Sequence, residues 1–444
     1  MSISTFNGLN IALRGLTAQQ RALDVTSHNI ANVETPGYSR QEAVFAAAPV
    51  LDVGAGALQH GQGAQLGQGV DVLTYRRLRD DFLDLQWRAQ NMSGGQAEVS
   101  SQRLSQVQTM LGSGGASDLG TQLDKFWSAW QTLAANPQST SAQANVVGMA
   151  QNLAQGFQNL DSSFAALGAQ TTQAATDLLS AQGPIQPIAT ELAKLNGQIN
   201  QAVQAGVTHN DLLDRRDLLL DQLSRYGQVS VTPDPTLDAS GNPAYPGMIQ
   251  VSFGGATTPL VSQGTVTMPT VATLSATPGG QIGGLLDTAS KITGYRATLS
   301  SIASSLIGSV NGTAASPIFS GTGSSDIAVV ATAATVKAGS GGAGDNSIAL
   351  AISALRGGAV DQGYAGLVQT IGADTATANS NQDTTTRVLD SLTEQRQSVA
   401  GVSMDEEMAN MVRFQRGYQA AARALTTMDE MLDTLINSTG RVGL

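Results

Sequence analysis

Three histidines, His28, His60 and His209, are the only imidazoles in the 444-residue chain, and cysteine is absent. Without thiolates there is no disulfide, no thiol nucleophile and no Cys-ligated zinc or iron–sulfur cluster. No two histidines stand at i, i+4, and the HExxH pattern of a helical zinc site does not occur. His28 falls beside a turn signal and His209 beside a helix start, so each reads as structural. There is no G-x-S-x-G to raise a serine on a nucleophile elbow. The chain has 49 glycines but no GxxxxGK[ST], and GQGAQLG at 61–67 lacks the strand-then-helix setting of a dinucleotide site. Asp80, Asp81 and Asp84 could do general acid–base work. With Arg76, Arg77, Arg79 and Arg88 close by, they read instead as a solvated, ion-paired helix face. No catalytic residue, metal or cofactor is expected.

Charge and composition narrow the classes further. Basic residues number 23 against 34 acidic, a net charge of −11, which gives no electrostatic reason to bind nucleic acid. The basic run 75–79 is too short and too mixed with acids to change that. Hydrophobic residues make up 41%, enough for real cores, but aromatics only 4%, which disfavours an aromatic-lined pocket. The longest apolar run, 43–51, is broken by Pro49, so no membrane insertion is expected. No basic region precedes Arg14 and no long apolar run follows it, so the N-terminus does not read as a cleaved secretory signal. The expectation is a cytoplasmic chain, or one exported without such a signal.

With little chemistry to position, the periodic elements carry the information. Leu9, Leu16, Leu23 and Ile30 recur every seven residues, an apolar stripe on a first helix. Thr35-Pro36-Gly37-Tyr38 reads as a type II turn, with Pro36 at i+1 and Gly37 supplying positive φ at i+2. A glycine-rich arm at 54–69, a short strand at 69–72 and a helix from about 77 follow. Residues 96–225 are almost wholly helical, and long helices with short connections imply an antiparallel bundle. At 228–277 the alternation of Val229, Val231, Ile249, Val251 and Phe253 with turn residues predicts a small antiparallel β domain. Helix returns at about 282–311. The Gly/Ala/Ser/Thr-rich stretch 312–346 carries either a strand pair or a loop. In the last helix Met411, Phe414, Tyr418, Ala421, Leu425, Met428, Leu432 and Leu435 step alternately by three and four.

The predicted fold is therefore mainly α with a small antiparallel β domain: a long helical bundle built from both N- and C-terminal segments, flanked by terminal coiled-coil helices. The expected units are 1–66 (terminal helix and arm), 67–227 (first part of the bundle), 228–277 (β domain), 278–402 (second part of the bundle) and 403–444 (C-terminal helix). Each terminal stripe is open to two readings. It is the core face of an ordinary bundle, or it pairs with the other terminus and with neighbouring subunits.

SHNIANVETPGY at 27–38, which holds Asn29, Asn32, Thr35, Pro36, Gly37 and Tyr38, resembles the N-terminal signature of the bacterial flagellar axial proteins of rod, hook and hook-associated type. GVSMDEEMANMVRFQRGYQAAARALTTMDEMLDTLI at 401–436 resembles their C-terminal signature. DLLDRRDLLLDQLS at 211–224, GGQIGGLLDTASKITGY at 279–295 and GDNSIALAISAL at 344–355 are similar to the hook-associated members at the hook–filament junction, for which this chain is short. The resemblance implies a non-enzymatic structural subunit of the flagellum, outside the cell and exported without a cleaved signal. It implies terminal helices disordered in the monomer that pair in the inner tube, with middle domains facing outward. The implied partners are copies of itself in a ring, the hook protein, the second junction protein and a cytoplasmic export chaperone. That chaperone would bind the face of Met411, Phe414, Tyr418, Leu425, Met428 and Leu432. A hook or distal-rod protein is the alternative within the same machinery. An enzyme or adhesin carried on the β domain is the alternative outside it.

Overall fold

The structure, a computed structural model of the whole chain, describes residues 7–53, 64–112, 118–207, 209–238 and 240–438. Helix α1 (Asn7–Ala31) opens it. An arm follows, in which β1 (Gln41–Ala47) pairs antiparallel with β4 (Val70–Arg77), and β2 (Leu51–Val53) with β3 (Ala64–Leu66). Part of the glycine-rich arm, 54–63, lies outside the described residues. The β1–β4 register slips between Val44 and Phe45, so Leu73 is an extra residue on β4, and it is 72% exposed.

Helix α2 (Asp81–Met110) starts later than the expected position 77, because Asp80 caps it, accepting hydrogen bonds from the Phe82 and Leu83 N–H groups. Helices α3 (Leu119–Ala135), α4 (Thr140–Leu179), α5 (Ile185–Gln204) and α6 (Asn210–Tyr226) continue the bundle. A four-stranded antiparallel sheet then runs in the order β5 (Val229–Pro233), β6 (Ile249–Phe253), β7 (Val261–Ser262), β8 (Thr265–Val266). Helix α7 (Gly280–Thr313) returns to the bundle. The 312–346 stretch contains a strand pair, β9 (Phe319–Ser320) with β10 (Ala328–Val329). Helices α8 (Ser347–Ser353), α9 (Ala359–Ala400) and α10 (Met404–Ser438) close the chain.

Among the described residues two apolar cores hold the molecule, both outside the terminal helices. In the larger, α3, α4, α7 and α9 enclose Phe126, Trp127, Trp130, Phe157, Phe164 and Phe319, all fully buried. The few aromatics are thus concentrated where burial stabilises most, each large side chain contributing on the order of 1.5–3 kcal/mol. The smaller core lies under the sheet, where Ile185, Leu192, Leu220 and Leu223 meet Val251, Phe253 and Val261. Val251 and Phe253 point inward two residues apart, as the alternation requires.

Candidate assembly interface

The first and last helices lie side by side, antiparallel. A Cβ placed on Gly8 would lie 3.2 Å from the Met428 thioether, one on Gly15 4.0 Å from Ala421, and one on Gly417 2.8 Å from Gln19. At the other end Asn29 Nδ2 donates to Glu407 Oε2 at 3.1 Å. Every step along α1 is matched by an equal step back along α10, so the pairing runs without slip.

The face that α1 turns toward this pairing consists of small or polar residues. Gly8, Ala12, Gly15, Gln19, Ala22, Thr26 and Asn29 step by four and three, and of these Ala12, Ala22, Thr26 and Asn29 are buried. Leu9, Leu16, Leu23 and Ile30 fall beside this face and are only half-buried. On α10 the residues Met411, Phe414, Leu425, Met428 and Leu432 are half-buried and Tyr418 is exposed, while the side chain of Leu435 lies outside what is described. The two ladders therefore do not close on each other. Met428 and Ala421 of the α10 ladder rest on Gly8 and Gly15 of α1, with Phe414 also meeting Phe45 of the arm at a ring distance of 6.3 Å. Sequence reading missed the α1 seam because it sought large apolar residues. The three-four spacing of small ones was the available signal. Met404, Met408 and Val412 add a further apolar line on α10, each 41–51% exposed.

The turn after α1 is built from its own side chains. Gly37 has φ +80°, and the Tyr38 N–H donates to the Thr35 carbonyl at 3.2 Å. Thr35 Oγ1 donates to Asn32 Oδ1 at 3.1 Å, and Asn32 Nδ2 to the His28 carbonyl at 3.0 Å. Pro36 is exposed. Asn29, fully buried, is saturated: its amide donates to the Gln41 carbonyl and Glu407, and its oxygen accepts from the Gln41 N–H and the Tyr38 hydroxyl. An alanine here would strand several of these groups without partners. Burial, with the negative charges of Asp211, Asp214 and Glu407, pushes the Tyr38 phenol well above its ordinary value, so it remains a donor.

Beneath the turn lies an ionic cluster. Arg77 reaches Asp214 and Asp217 at 2.9 Å each, and Arg79 reaches Asp84 at 2.7 Å and Asp217 at 3.2 Å. Arg88 pairs with Asp221 at 2.6 Å, and Arg396 joins Asp84 at 2.8 Å and Asp221 at 2.7 Å while stacking over Trp87. This corrects the reading of Asp84 as part of a solvated face: it is buried, and its partners include Arg396 from α9. Arg77 and Arg88 pair across to α6 rather than with Asp80 or Asp81.

Burial alone would raise the Asp217 carboxyl, but the charge of Arg79, with the hydrogen bond and charge of Arg77 and the charge of Arg88, outweighs it and holds the group below its ordinary 3.8. A carboxyl depressed on folding adds stability that is complete above its unfolded value and is lost as pH falls through the folded one. Asp217→Asn is expected to cost about 1–3 kcal/mol near neutrality, because it removes the carboxylate shared by Arg77, Arg79 and Arg88 while each keeps one other, Asp214, Asp84 and Asp221. Its cost should shrink in acid, below the ordinary carboxyl value. Urea melts at neutral and at acid pH check this, and an equal cost at both would count against the assignment.

Among the described residues no group of three or more His, Asp or Glu is placed to hold a metal ion, and no helix is long and apolar enough to cross a membrane.

A cysteine-free chain with paired terminal helices, a polar turn and a separate helical bundle has the make-up of an axial assembly subunit. Comparison with known proteins narrows the class. The model for the helical domain of flagellar hook-associated protein FlgK matches residues 104–318. The model for the C-terminal part of the flagellar basal body rod FlgEFG proteins matches 394–438, and that for the flagella basal body rod protein matches 9–38. Flagellar hook-associated protein 1 of Bacillus subtilis (strain 168) is 28% identical over 505 aligned positions, covering 98% of this chain and 99% of the relative. The Escherichia coli (strain K12) protein of the same name is 25% identical over 554 positions, covering 97% and 99%. Both alignments are longer than this chain, so the relatives carry residues with no counterpart here. The solved flagellar hook junction protein FlgK from Burkholderia pseudomallei is 22% identical with a TM-score of 0.40, covering 53% of this chain and 46% of that one. Over nearly its whole length the chain is thus similar to flagellar hook-associated protein 1.

Proposed function

We propose that the chain is a structural subunit of the bacterial flagellum, sited at the hook–filament junction, where it forms the platform for the next junction protein and the filament. The observation that carries this reading is the unclosed pair of ladders. Leu9, Leu16, Leu23 and Ile30 are half-buried although their helix already has a partner, and Met404, Met408 and Val412 are exposed. Completing the burial of each large side chain is worth on the order of 1 kcal/mol, half the value for full burial. In the assembled flagellum other subunits would supply that cover: copies of this chain in a ring, the hook protein below and the second junction protein above.

Before assembly the same surface needs protection, because a contiguous apolar stripe invites aggregation. An export chaperone on Met411, Phe414, Tyr418, Leu425, Met428 and Leu432 would provide it, in competition with α1, which rests on part of that face. The chain would then leave the cell without a cleaved signal and act outside it. The role is structural, in keeping with the names of the relatives, and requires no catalytic group.

Deleting the gene tests the assignment. Electron microscopy should show hooks without filaments, with flagellin monomers released into the medium. Filaments of normal length would rule the junction role out.

A further inference from the structure

Helix α10 carries charge that its own chain leaves unmatched. Arg413, Arg416 and Arg423 stand in its middle and Asp429, Glu430 and Asp433 toward its C-terminal end, all exposed. Among the described residues the ion pairs of α10 are those of Glu406 and Glu407 with Arg40, and none of these six takes part. Pairing along the helix is closed to them too. No acid stands three or four residues from any of the three arginines, and no base three or four residues from any of the three acids. At those spacings Arg413 meets Arg416, and both Asp429 and Glu430 meet Asp433, like-charge pairs that weaken a helix. The acids also lie toward the end where the helix dipole favours bases.

The unmatched charges form a stripe. Arg416, Arg423 and Glu430 recur every seven residues, each two places after a ladder residue, Phe414, Ala421 and Met428. Two places is more than half a turn at 3.6 residues per turn, so the stripe lies on the side of α10 away from the ladder and from α1.

We propose that this stripe is a contact surface for α10 of a neighbouring copy, set parallel and shifted by two heptads, so that Arg416 and Arg423 of one copy hold Glu430 and Asp433 of the next. The contact rests on the reading above, in which copies of the chain stand side by side. Without a shift, Arg416 faces Arg416 and Glu430 faces Glu430. A shift of one heptad joins Arg423 to Glu430 but sets Arg416 against Arg423. A shift of two heptads, about 21 Å at the helical rise, sets Arg416 against Glu430. It places Asp433 opposite Gln419, between the two arginines, and brings no like charges face to face. Each copy then offers arginines to one neighbour and acids to the other, a head-to-tail contact that repeats from copy to copy. Charges arranged in this way fix register and reject wrong alignments more than they add affinity.

The test is made on assembled flagella. With no native cysteine, the chain can form disulfides only where cysteines are placed. Ala420 and Thr434 are exposed, two heptads apart and beside the stripe. Hooks with their junctions, isolated from cells whose only copy carries Ala420→Cys with Thr434→Cys, are oxidised with copper phenanthroline and run on non-reducing gels. The pair should give a ladder of linked multimers, and either cysteine alone should give none. Linkage by a single cysteine as efficient as by the pair means unshifted helices and overturns the proposal. So does a pair variant that immunogold labelling finds on hook tips but that stays unlinked, or one linked to a different protein in place of a second copy. Independently, Arg416→Glu with Arg423→Glu should lower the chain on hook tips about tenfold, and adding Glu430→Arg with Asp433→Arg should restore most of it. A four-residue swap that is secreted yet restores nothing overturns the pairing. Parent chain missing from hook tips sinks the junction reading itself, a result distinct from chain that is present but unlinked.

Discussion

Cells whose only copy of this chain carries Leu425→Asp should be non-motile, with the variant absent from hook tips, while its bundle melts at the parent temperature. Leu425 is a half-buried ladder residue on α10, a helix that has no residue in either apolar core. A carboxylate there would be desolvated in each copy of an assembled ring, and burying an unpaired charge costs several kcal/mol each time. Because the same face is proposed to bind the chaperone, secretion should be assayed alongside. Variant found in the medium but not on hooks places the fault in assembly. Variant retained in the cell places it in export. Normal swimming would sink the ladder argument.

Gly95→Ala should be strongly damaging to the bundle, and its neighbour Gly94→Ala close to harmless. A Cβ on Gly95 would lie 2.2 Å from the backbone carbonyl oxygen of Arg225, whereas one on Gly94 would meet only the Thr385 methyl at 3.4 Å. Backbone cannot rotate aside as a side chain can. Helix α2 would have to lift away from α6 and loosen the Asn91 amide from the Asp221 carbonyl and Ser224 Oγ, both at 2.9 Å. Overpacking of this kind costs about 3 kcal/mol or more, which in a domain of this size lowers Tm by roughly 6–12 °C. Gly94→Ala gains up to about 1 kcal/mol of helix propensity. Thermal melts of the two variants side by side decide the matter, and equal effects would mean that α2 and α6 are not in close contact.

Large apolar side chains at a regular spacing were legible in the sequence. In the series Val146, Met149, Leu153, Phe157, Leu160, Phe164 and Leu167 on α4, which steps by three and four, all are buried but Met149, which is half-buried. The sheet was legible from Val251 and Phe253 for the same reason at period two. What could not be read were partnerships across sequence distance. Asp214, Asp217 and Asp221 stand at three- and four-residue steps on α6, a visible acidic face, but nothing local says that arginines at 77, 79, 88 and 396 converge on it. Local proximity instead favoured pairing the arginines at 76, 77, 79 and 88 with Asp80, Asp81 and Asp84, which the structure bears out only for Arg79 with Asp84. The α1 seam was missed for another reason. A hydrophobicity pattern weights leucine over glycine and alanine, although it is the small residues that let α10 approach.

A contact face of glycine, alanine and threonine brings two backbones near while removing little apolar area from water, so closing one chain's ends on each other yields only a modest gain. The greater return comes when several chains crowd together and each leucine finds a wall. Growth of that kind has a threshold: isolated copies gain little from meeting in pairs, whereas a copy arriving at an existing rim meets several walls at once. A seam too poor in side-chain bulk to satisfy its own chain thereby favours addition at an end already built.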